Sequence, residues 1–267
     1  MSLTHNSPPE LQTEPPQLLN VQTGEDPPWT GWDVLRVAVV GLVAIVIVSL
    51  AVIWVAASLG LFQGIPPTKL ARDPLLIVPA QFLAYVVIVI FMHRVATRRG
   101  QKFLPSTRWS WPQSSWVGYA VLGAIVAISG QMLSALLPIP KSLPIDQFFR
   151  SRSDAYLMAA FGVTVAPFVE EMFFRGFLYP VLARRVGMFL GVVLTAAPFA
   201  LVHASQLGEA WGPVLVLFIV GLVLTGVRAA TKSVAASMLV HIGYNLTLFT
   251  MLFFASDHFR HLERISQ

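Results

Sequence analysis

The sequence contains no cysteine, and only 12% of its 267 residues are charged. The lack of cysteine excludes disulfides, Cys-ligated zinc and a thiol nucleophile. Soluble domains carry about a quarter charged residues. With 55% hydrophobic residues, this composition is typical of an integral membrane protein.

The formal net charge is +5, but the Lys and Arg residues lie at the ends of apolar runs rather than in one patch. Basic residues at the ends of apolar runs help to orient a protein in the membrane, whereas a nucleic-acid site needs them in one patch. We therefore expect no nucleic-acid partner. Membrane lipid is the partner we expect. The densest basic loop follows the second apolar run, and cytoplasmic loops are enriched in Lys and Arg. We therefore expect a multi-pass protein of the cell membrane, in particular a bacterial inner membrane, with a cytoplasmic N-terminus. The basic residues of that loop are Arg94, Arg98, Arg99, Lys102 and Arg108.

Apolar runs long enough to span a bilayer recur along the chain. A span needs about 20 residues, and we predict an all-α polytopic fold with about seven such helices. Tryptophans near the predicted ends, Trp29 among them, are expected at the lipid headgroups. The predicted spans are 33–60, 74–95, 116–138, 155–182, 187–206, 212–230 and 233–256.

The expected organisation is one membrane domain with two tails. Residues 1–30 are rich in Pro and polar residues and are predicted to be a disordered N-terminal tail. Residues 31–149 supply the first transmembrane helices, 150–256 a membrane core formed by the last four helices, and 257–267 a C-terminal tail.

Ionisable residues interrupt the fourth apolar run. Glu170, Glu171 and Arg175 stand where each charge costs about 2.5–3.5 kcal/mol on insertion scales. Residues four apart share a helix face, so Glu171 is predicted to pair with Arg175 and support the structure. Glu170 points about 100° away and is the candidate for chemistry. Pro167 can kink this helix and admit water, or can be a plain packing kink.

The next two spans carry similar polar pairs. Phe199 and His203 are four residues apart, as are His241 and Asn245. Polar side chains in lipid need mutual partners, so we expect one shared interior site. Each histidine could equally form a hydrogen bond to a neighbouring packed helix, and Phe199 could be an ordinary core residue. On a straight helix Glu170 and His203 would differ in depth, so we also expect a tilt, a kink or a later helix start.

These residues form three ordered patterns: Glu170-Glu171-Met-Phe-Phe-Arg175, Phe199-Ala-Leu-Val-His203 and His241-Ile-Gly-Tyr-Asn245. They resemble the EExxxR, FxxxH and HxxxN motifs of the CPBP family, which includes CAAX prenyl proteases and bacteriocin-processing or Abi-like proteins. The segment Thr231-Lys232-Ser233-Val234 is similar to a Gly-Ser turn of the family, with Lys in place of Gly.

The resemblance implies an intramembrane endopeptidase that hydrolyses a membrane-associated or lipid-anchored peptide. Glu170 and His203 would activate a water, and His241 and Asn245 would stabilise the oxyanion. Arg175 would hold Glu171 charged, and Phe199 would support the site. The cavity is expected to open to the cytoplasm or sideways into the bilayer. No cofactor is required on this interpretation.

Other interpretations remain open. Glu170, His203 and His241 match a catalytic zinc ligand set, although no His-Glu-x-x-His helix supports a zinc-dependent variant. A non-proteolytic membrane scaffold or bacteriocin self-immunity protein could keep the polar cluster for packing. A small proton-coupled transporter is a third possibility, but no internal repeat favours it.

Overall fold

The computed structural model describes residues 27–262 except for 63, 99, 113–114 and 141, and within that part of the chain it contains helices and no strand. The predicted all-α fold is confirmed. The membrane helices are α1 Gly31–Ser58, α3 Pro74–Thr97, α5 Trp116–Ser134, α6 Arg152–Val163, α7 Val165–Glu171, α8 Tyr179–Val186, α9 Met188–Leu201, α10 Trp211–Thr231 and α11 Val234–Ala255. Short helices α2 Pro67–Leu70 and α4 Phe103–Ser106 lie in the connections, a π-helix Met172–Leu178 joins α7 to α8, and 3-10 helices occupy Pro144–Phe148 and Ala204–Leu207.

All seven predicted spans correspond to helices. Within the described residues, six helical stretches are long and apolar enough to cross a membrane, and the fourth of them is the 35-residue stretch Arg152–Val186. The fifth predicted span is shorter than expected, because α9 has only 14 residues and ends at Leu201. His203 therefore lies in the turn beyond the helix rather than inside it.

The fourth span is interrupted close to the acidic motif. Pro167 has no N–H to donate to Val163 four residues earlier, and α6 ends at Val163, with Thr164 at φ −113° and ψ −68°. The expected kink is thus observed. The backbone then changes to a π-helix from Met172 to Leu178, a local irregularity that is frequent at functional sites.

Helices α5 and α11 cross at closely spaced glycines. A Cβ on Gly123 would lie 2.1 Å from the carbonyl oxygen of Val240, and a Cβ on Gly243 would lie 2.2 Å from that of Ala120. Small residues at such crossings let helix backbones approach within a membrane. This crossing fixes α11, the helix that carries His241 and Asn245.

Trp29 is buried in the core. The sequence predicts instead a ring at the lipid headgroups, within a disordered tail. Trp29 is 1% exposed, it stacks on Phe177 with ring centroids 4.1 Å apart, and its Nε1 donates to the Phe177 carbonyl over 3.0 Å. The partner is in the π-helix, and a carbonyl oxygen has two lone pairs, so it can accept a bond from outside its own helix. Trp32, Trp111, Trp116 and Trp211 are exposed, as predicted for a membrane interface. Residues 1–26 lie outside the described part of the chain.

The turn before α11 uses a left-handed residue. Lys232 has φ 54° and ψ 25°, a conformation that glycine adopts without strain. Ser233 then caps α11 by accepting the N–H of Ala236, and its hydroxyl also donates to the Ser110 carbonyl. The Lys in place of Gly therefore preserves the turn, at a conformational cost.

Candidate functional site

A fully buried ion pair stands at the centre of the core. Arg175 Nη1 lies 2.8 Å from Glu171 Oε1, and both side chains are 0% exposed. The helical spacing brings them together as predicted. Because an unpaired charge at this depth is very costly, the two groups neutralise one another.

Arg175 is also tied to α10 and α9. Its Nε donates to Thr225 Oγ1 over 3.2 Å, and its Nη2 donates to the Gly221 carbonyl over 3.2 Å. The guanidinium lies 4.4 Å from the ring centroid of Phe199, within cation–π range. Arg175 thus holds three membrane helices in register.

Glu171 accepts two further hydrogen bonds from α11. Ser237 Oγ lies 2.5 Å from Glu171 Oε2, and His241 Nδ1 lies 2.9 Å from Oε1. An ionised carboxylate only accepts, so His241 Nδ1 carries a proton. Ser237, His241 and Asn245 are spaced four apart and share one face of α11.

Glu170 faces a different environment from its neighbour. Its side chain is 17% exposed, and its Oε2 lies 3.8 Å from His241 Nε2. Its Oε1 lies 3.4 Å from the hydroxyl of Tyr85. A polar gap of more than 3.5 Å is one that a water can bridge. Glu170 is therefore the carboxylate that is open to a substrate or a water.

A backbone carbonyl in the last turn of α9 orients the His203 ring. Its Nδ1 lies 2.7 Å from the Phe199 carbonyl, which only accepts, so Nδ1 carries a proton and a neutral ring presents a lone pair at Nε2. The Phe199 ring lies between the two imidazoles, with centroid distances of 5.2 Å to His203 and 5.8 Å to His241. Phe199 thus belongs to the core and contacts both histidines.

Asn245 already has one partner. Its Nδ2 donates to the Gly162 carbonyl over 2.7 Å, in the last turn of α6 just before the break at Thr164. A helix end in lipid needs such a donor. Since the amide nitrogen carries two hydrogens, one N–H remains for another acceptor.

A cavity of about 570 Å³ joins these side chains. Glu170, His203, His241 and Asn245 all line it, together with Phe199 and Tyr85. The interrupted fourth span and the early end of α9 remove the expected difference in depth between Glu170 and His203. The four residues assigned to chemistry therefore border one space, whereas Glu171 and Arg175 lie behind its wall.

The cavity reaches one end of the helix bundle. Its lining continues through Ser134 at the end of α5, the connection containing Phe148, and Gln206 after α9, and includes Leu252 near the end of α11. The basic loop that follows α3 lies at the other end, since the chain alternates direction from span to span. A cytoplasmic N-terminus and a cytoplasmic opening, both expected from the sequence, are thus incompatible.

The arrangement of the donor side chains bears on the zinc alternative. Within the described residues, no group of three or more His, Cys, Asp or Glu side chains is arranged to hold a metal ion. Glu170 and His241 approach one another, but His203 does not complete a ligand set with them. His241 Nδ1 is engaged by Glu171. In this arrangement the residues do not fit a zinc centre.

Sequence reasoning missed two contributors. Ser237 binds Glu171, and its position one turn before His241 was a detectable signal. Tyr85 contacts Glu170 from α3. No local pattern marks Tyr85, because its role depends on how α3 packs against the fourth span.

Fold and site together define a polytopic helical membrane protein with a buried carboxylate and imidazole cluster. Residues 152–247 match the family described as Rce1-like, type II CAAX prenyl endopeptidase Rce1-like. This match covers 96 of the 267 residues and supports membership of that segment in the CPBP family, as the three motifs predict. No curated protein and no solved structure matches the chain significantly.

Proposed function

We propose that the protein is an intramembrane endopeptidase that hydrolyses a peptide bond in a membrane-associated substrate. The observation that carries this proposal is the shared cavity, in which Glu170 is accessible while Glu171 is sealed and neutralised by Arg175. A structural role for both glutamates would not explain why only one of them faces open space.

Glu170 acts as the general base in this proposal. A water in the gap donates to Glu170 Oε2 and accepts from the Nε2–H of a doubly protonated His241, and Glu170 takes its proton as the oxygen attacks the peptide carbonyl. The Nε2 lone pair of neutral His203 accepts a hydrogen bond that helps to orient the same water. The proton on Glu170 then passes to the leaving amine, so protons balance over one cycle.

His241 and Asn245 stabilise the oxyanion. Asn245 has one N–H beyond its bond to Gly162. His241 carries a proton on Nδ1 and donates from Nε2 as an imidazolium, with the Glu171 and Glu170 carboxylates 2.9 Å and 3.8 Å from its two ring nitrogens. Loss of one oxyanion donor typically lowers kcat by about 10²–10³-fold.

The decisive experiment compares Glu170→Gln and His203→Ala with wild type in detergent-solubilised protein. The substrates are internally quenched peptides, with and without a farnesylated C-terminal Cys-aliphatic-aliphatic-X sequence. Loss of a general base should lower kcat by about 10²–10⁴-fold. Glu209→Gln, a carboxylate change at an exposed loop position, is the matched control.

The outcomes separate the candidate functions. Cleavage that survives both changes contradicts the catalytic roles. A wild-type protein that cleaves no peptide favours the non-proteolytic scaffold or self-immunity interpretation. Activity that a chelator abolishes and zinc restores favours the metal-dependent variant. Cleavage of only the farnesylated peptide identifies a prenyl-type substrate.

We also propose that the N-terminus is cytoplasmic and that the cavity opens outward or laterally. The basic loop near Lys102 supports this orientation, and the cavity lies at the opposite end. The lack of native cysteine makes single-cysteine labelling direct. Ser142→Cys should react with a membrane-impermeant maleimide on intact cells, and Gln101→Cys only after permeabilisation. If Gln101→Cys reacts on intact cells and Ser142→Cys reacts only after permeabilisation, the cavity opens to the cytoplasm.

A further inference from the structure

Tyr85 is the contact to Glu170 that comes from outside the matched segment. It lies on α3, and its hydroxyl is 3.4 Å from Glu170 Oε1. Its ring stacks on Phe161 of α6 with centroids 5.7 Å apart and planes 23° apart. The phenol is thus fixed between the first helices and the fourth span, and it also lines the cavity.

The direction of this hydrogen bond follows from the chemistry of the two groups. Gln81, one turn earlier on α3, lines the cavity with Tyr85, and its amide N–H is a donor that can reach only an acceptor such as the phenol oxygen. The phenol has a single proton. That proton is then directed to Glu170 Oε1, since the carboxylate only accepts.

The two oxygens of Glu170 consequently have different surroundings. Oε1 is held by Tyr85, and Oε2 faces His241 Nε2 across 3.8 Å. A carboxylate bound at one oxygen cannot rotate freely, so the other oxygen stays directed at the gap that suits a water. Precise placement of a base relative to its proton strongly affects rate.

We propose that Tyr85 is a positioning residue for Glu170, holding Oε1 so that Oε2 receives the proton of the attacking water; this rests on the proposed function. It makes α3 part of the active site, although the family match begins only at residue 152. Gln81 supports the arrangement by orienting the phenol.

The principal test does not depend on proteolysis. The carboxylate stretching bands of Glu170 are followed by infrared difference spectroscopy between wild type and variant and assigned by their loss in Glu170→Gln. Tyr85→Phe should change the separation of the antisymmetric and symmetric bands, because it removes the hydrogen bond that makes the two carboxylate oxygens unequal. Other charged or titratable groups near Glu170, namely His241, His203, Glu171 and Arg175, are unchanged in the variant.

Kinetics provide the second readout. Tyr85→Phe keeps the ring stacking on Phe161, so KM and thermal stability should stay near wild type while kcat falls roughly ten-fold. Tyr156→Phe is the matched control, since Tyr156 is exposed on α6 and does not line the cavity. It should change neither kcat nor the carboxylate bands.

Two results would overturn the proposal. One is a set of Glu170 carboxylate bands unchanged in Tyr85→Phe, and the other is an equal effect from Tyr156→Phe. Shifted bands in a protein that cleaves no peptide would uphold the contact between Tyr85 and Glu170 while rejecting the endopeptidase function. The two hypotheses can therefore fail separately.

Discussion

Two neighbouring carboxylates occupy opposite environments in this protein. Glu171 faces a closed wall in which Arg175, Ser237 and His241 satisfy its oxygens and no surface is exposed. Glu170, one residue earlier, faces the cavity and is 17% exposed. A single helical step of about 100° thus places the Glu171 carboxylate in the packed wall and the Glu170 carboxylate at the cavity, where it can react.

The largest effect is expected when the Glu171 carboxylate is removed from its buried ion pair with Arg175. Glu171→Gln leaves Arg175 as an uncompensated buried charge and should destabilise the protein by about 3–5 kcal/mol. Unfolding in detergent by heat measures this. Glu170→Gln should leave stability within about 1 kcal/mol, because its carboxylate is not part of a closed ion pair. Equal losses from the two changes would contradict the division between wall and cavity.

The next largest effect is expected where α5 and α11 cross at Gly123 and Gly243. Gly243→Ala places a Cβ against the Ala120 backbone and should cost about 1–3 kcal/mol through overpacking. Gly226→Ala on α10 is the matched control, since its Cβ would meet no atom within 4 Å, and it should stabilise the helix by about 0.5–1 kcal/mol. Thermal unfolding of both variants measures the difference, and a neutral Gly243→Ala would argue against the close approach of α5 and α11.

Ser237→Ala probes the wall without touching its charges. The hydroxyl is buried and lies between Glu171 and the Leu224 carbonyl, so its loss should cost about 1–3 kcal/mol. Peptidase activity per folded molecule should stay within about three-fold, because Ser237 does not line the cavity. Stability and activity are measured on the same preparation, and a large loss of activity at unchanged stability would assign Ser237 to the reaction.

The smallest effect is expected at the turn that leads into α11. Lys232→Gly relieves a left-handed conformation of φ 54° and should stabilise the protein by about 0.5–1 kcal/mol, the steric gain being partly offset by the greater flexibility of the unfolded chain. A rise in the unfolding temperature checks this. Thr231→Gly, in the last helical residue of α10, should instead destabilise. A lower unfolding temperature for Lys232→Gly would show that the lysine side chain contributes more than its backbone costs.

Much of the fold could be predicted because lipid imposes simple rules on a sequence. Apolar runs located the six spanning stretches of the described residues and the shorter helix α9, and four-residue spacing predicted the pair of Glu171 and Arg175. The same rules failed at the end of α9 and at Trp29. Both depend on contacts between distant segments, which hydropathy does not encode.

The candidate site was only partly accessible to prediction. The spacing within each motif identified Glu170, His203, His241 and Asn245 as candidates, since each is a polar residue in an apolar segment. It did not reveal that His241 binds Glu171 or that Asn245 binds the end of α6. These partners are 70 and 83 residues away in the chain.

The sequence by itself determined that the chain is a bundle of membrane helices with a small set of costly polar groups, because burying charge in lipid leaves few alternatives. The tertiary structure alone decided which of those groups are sealed against one another and which border open space. It also placed the cavity at the end away from the basic loop and brought Tyr85 to Glu170. These outcomes depend on the break at Thr164 and on how α3, α9 and α11 pack around it.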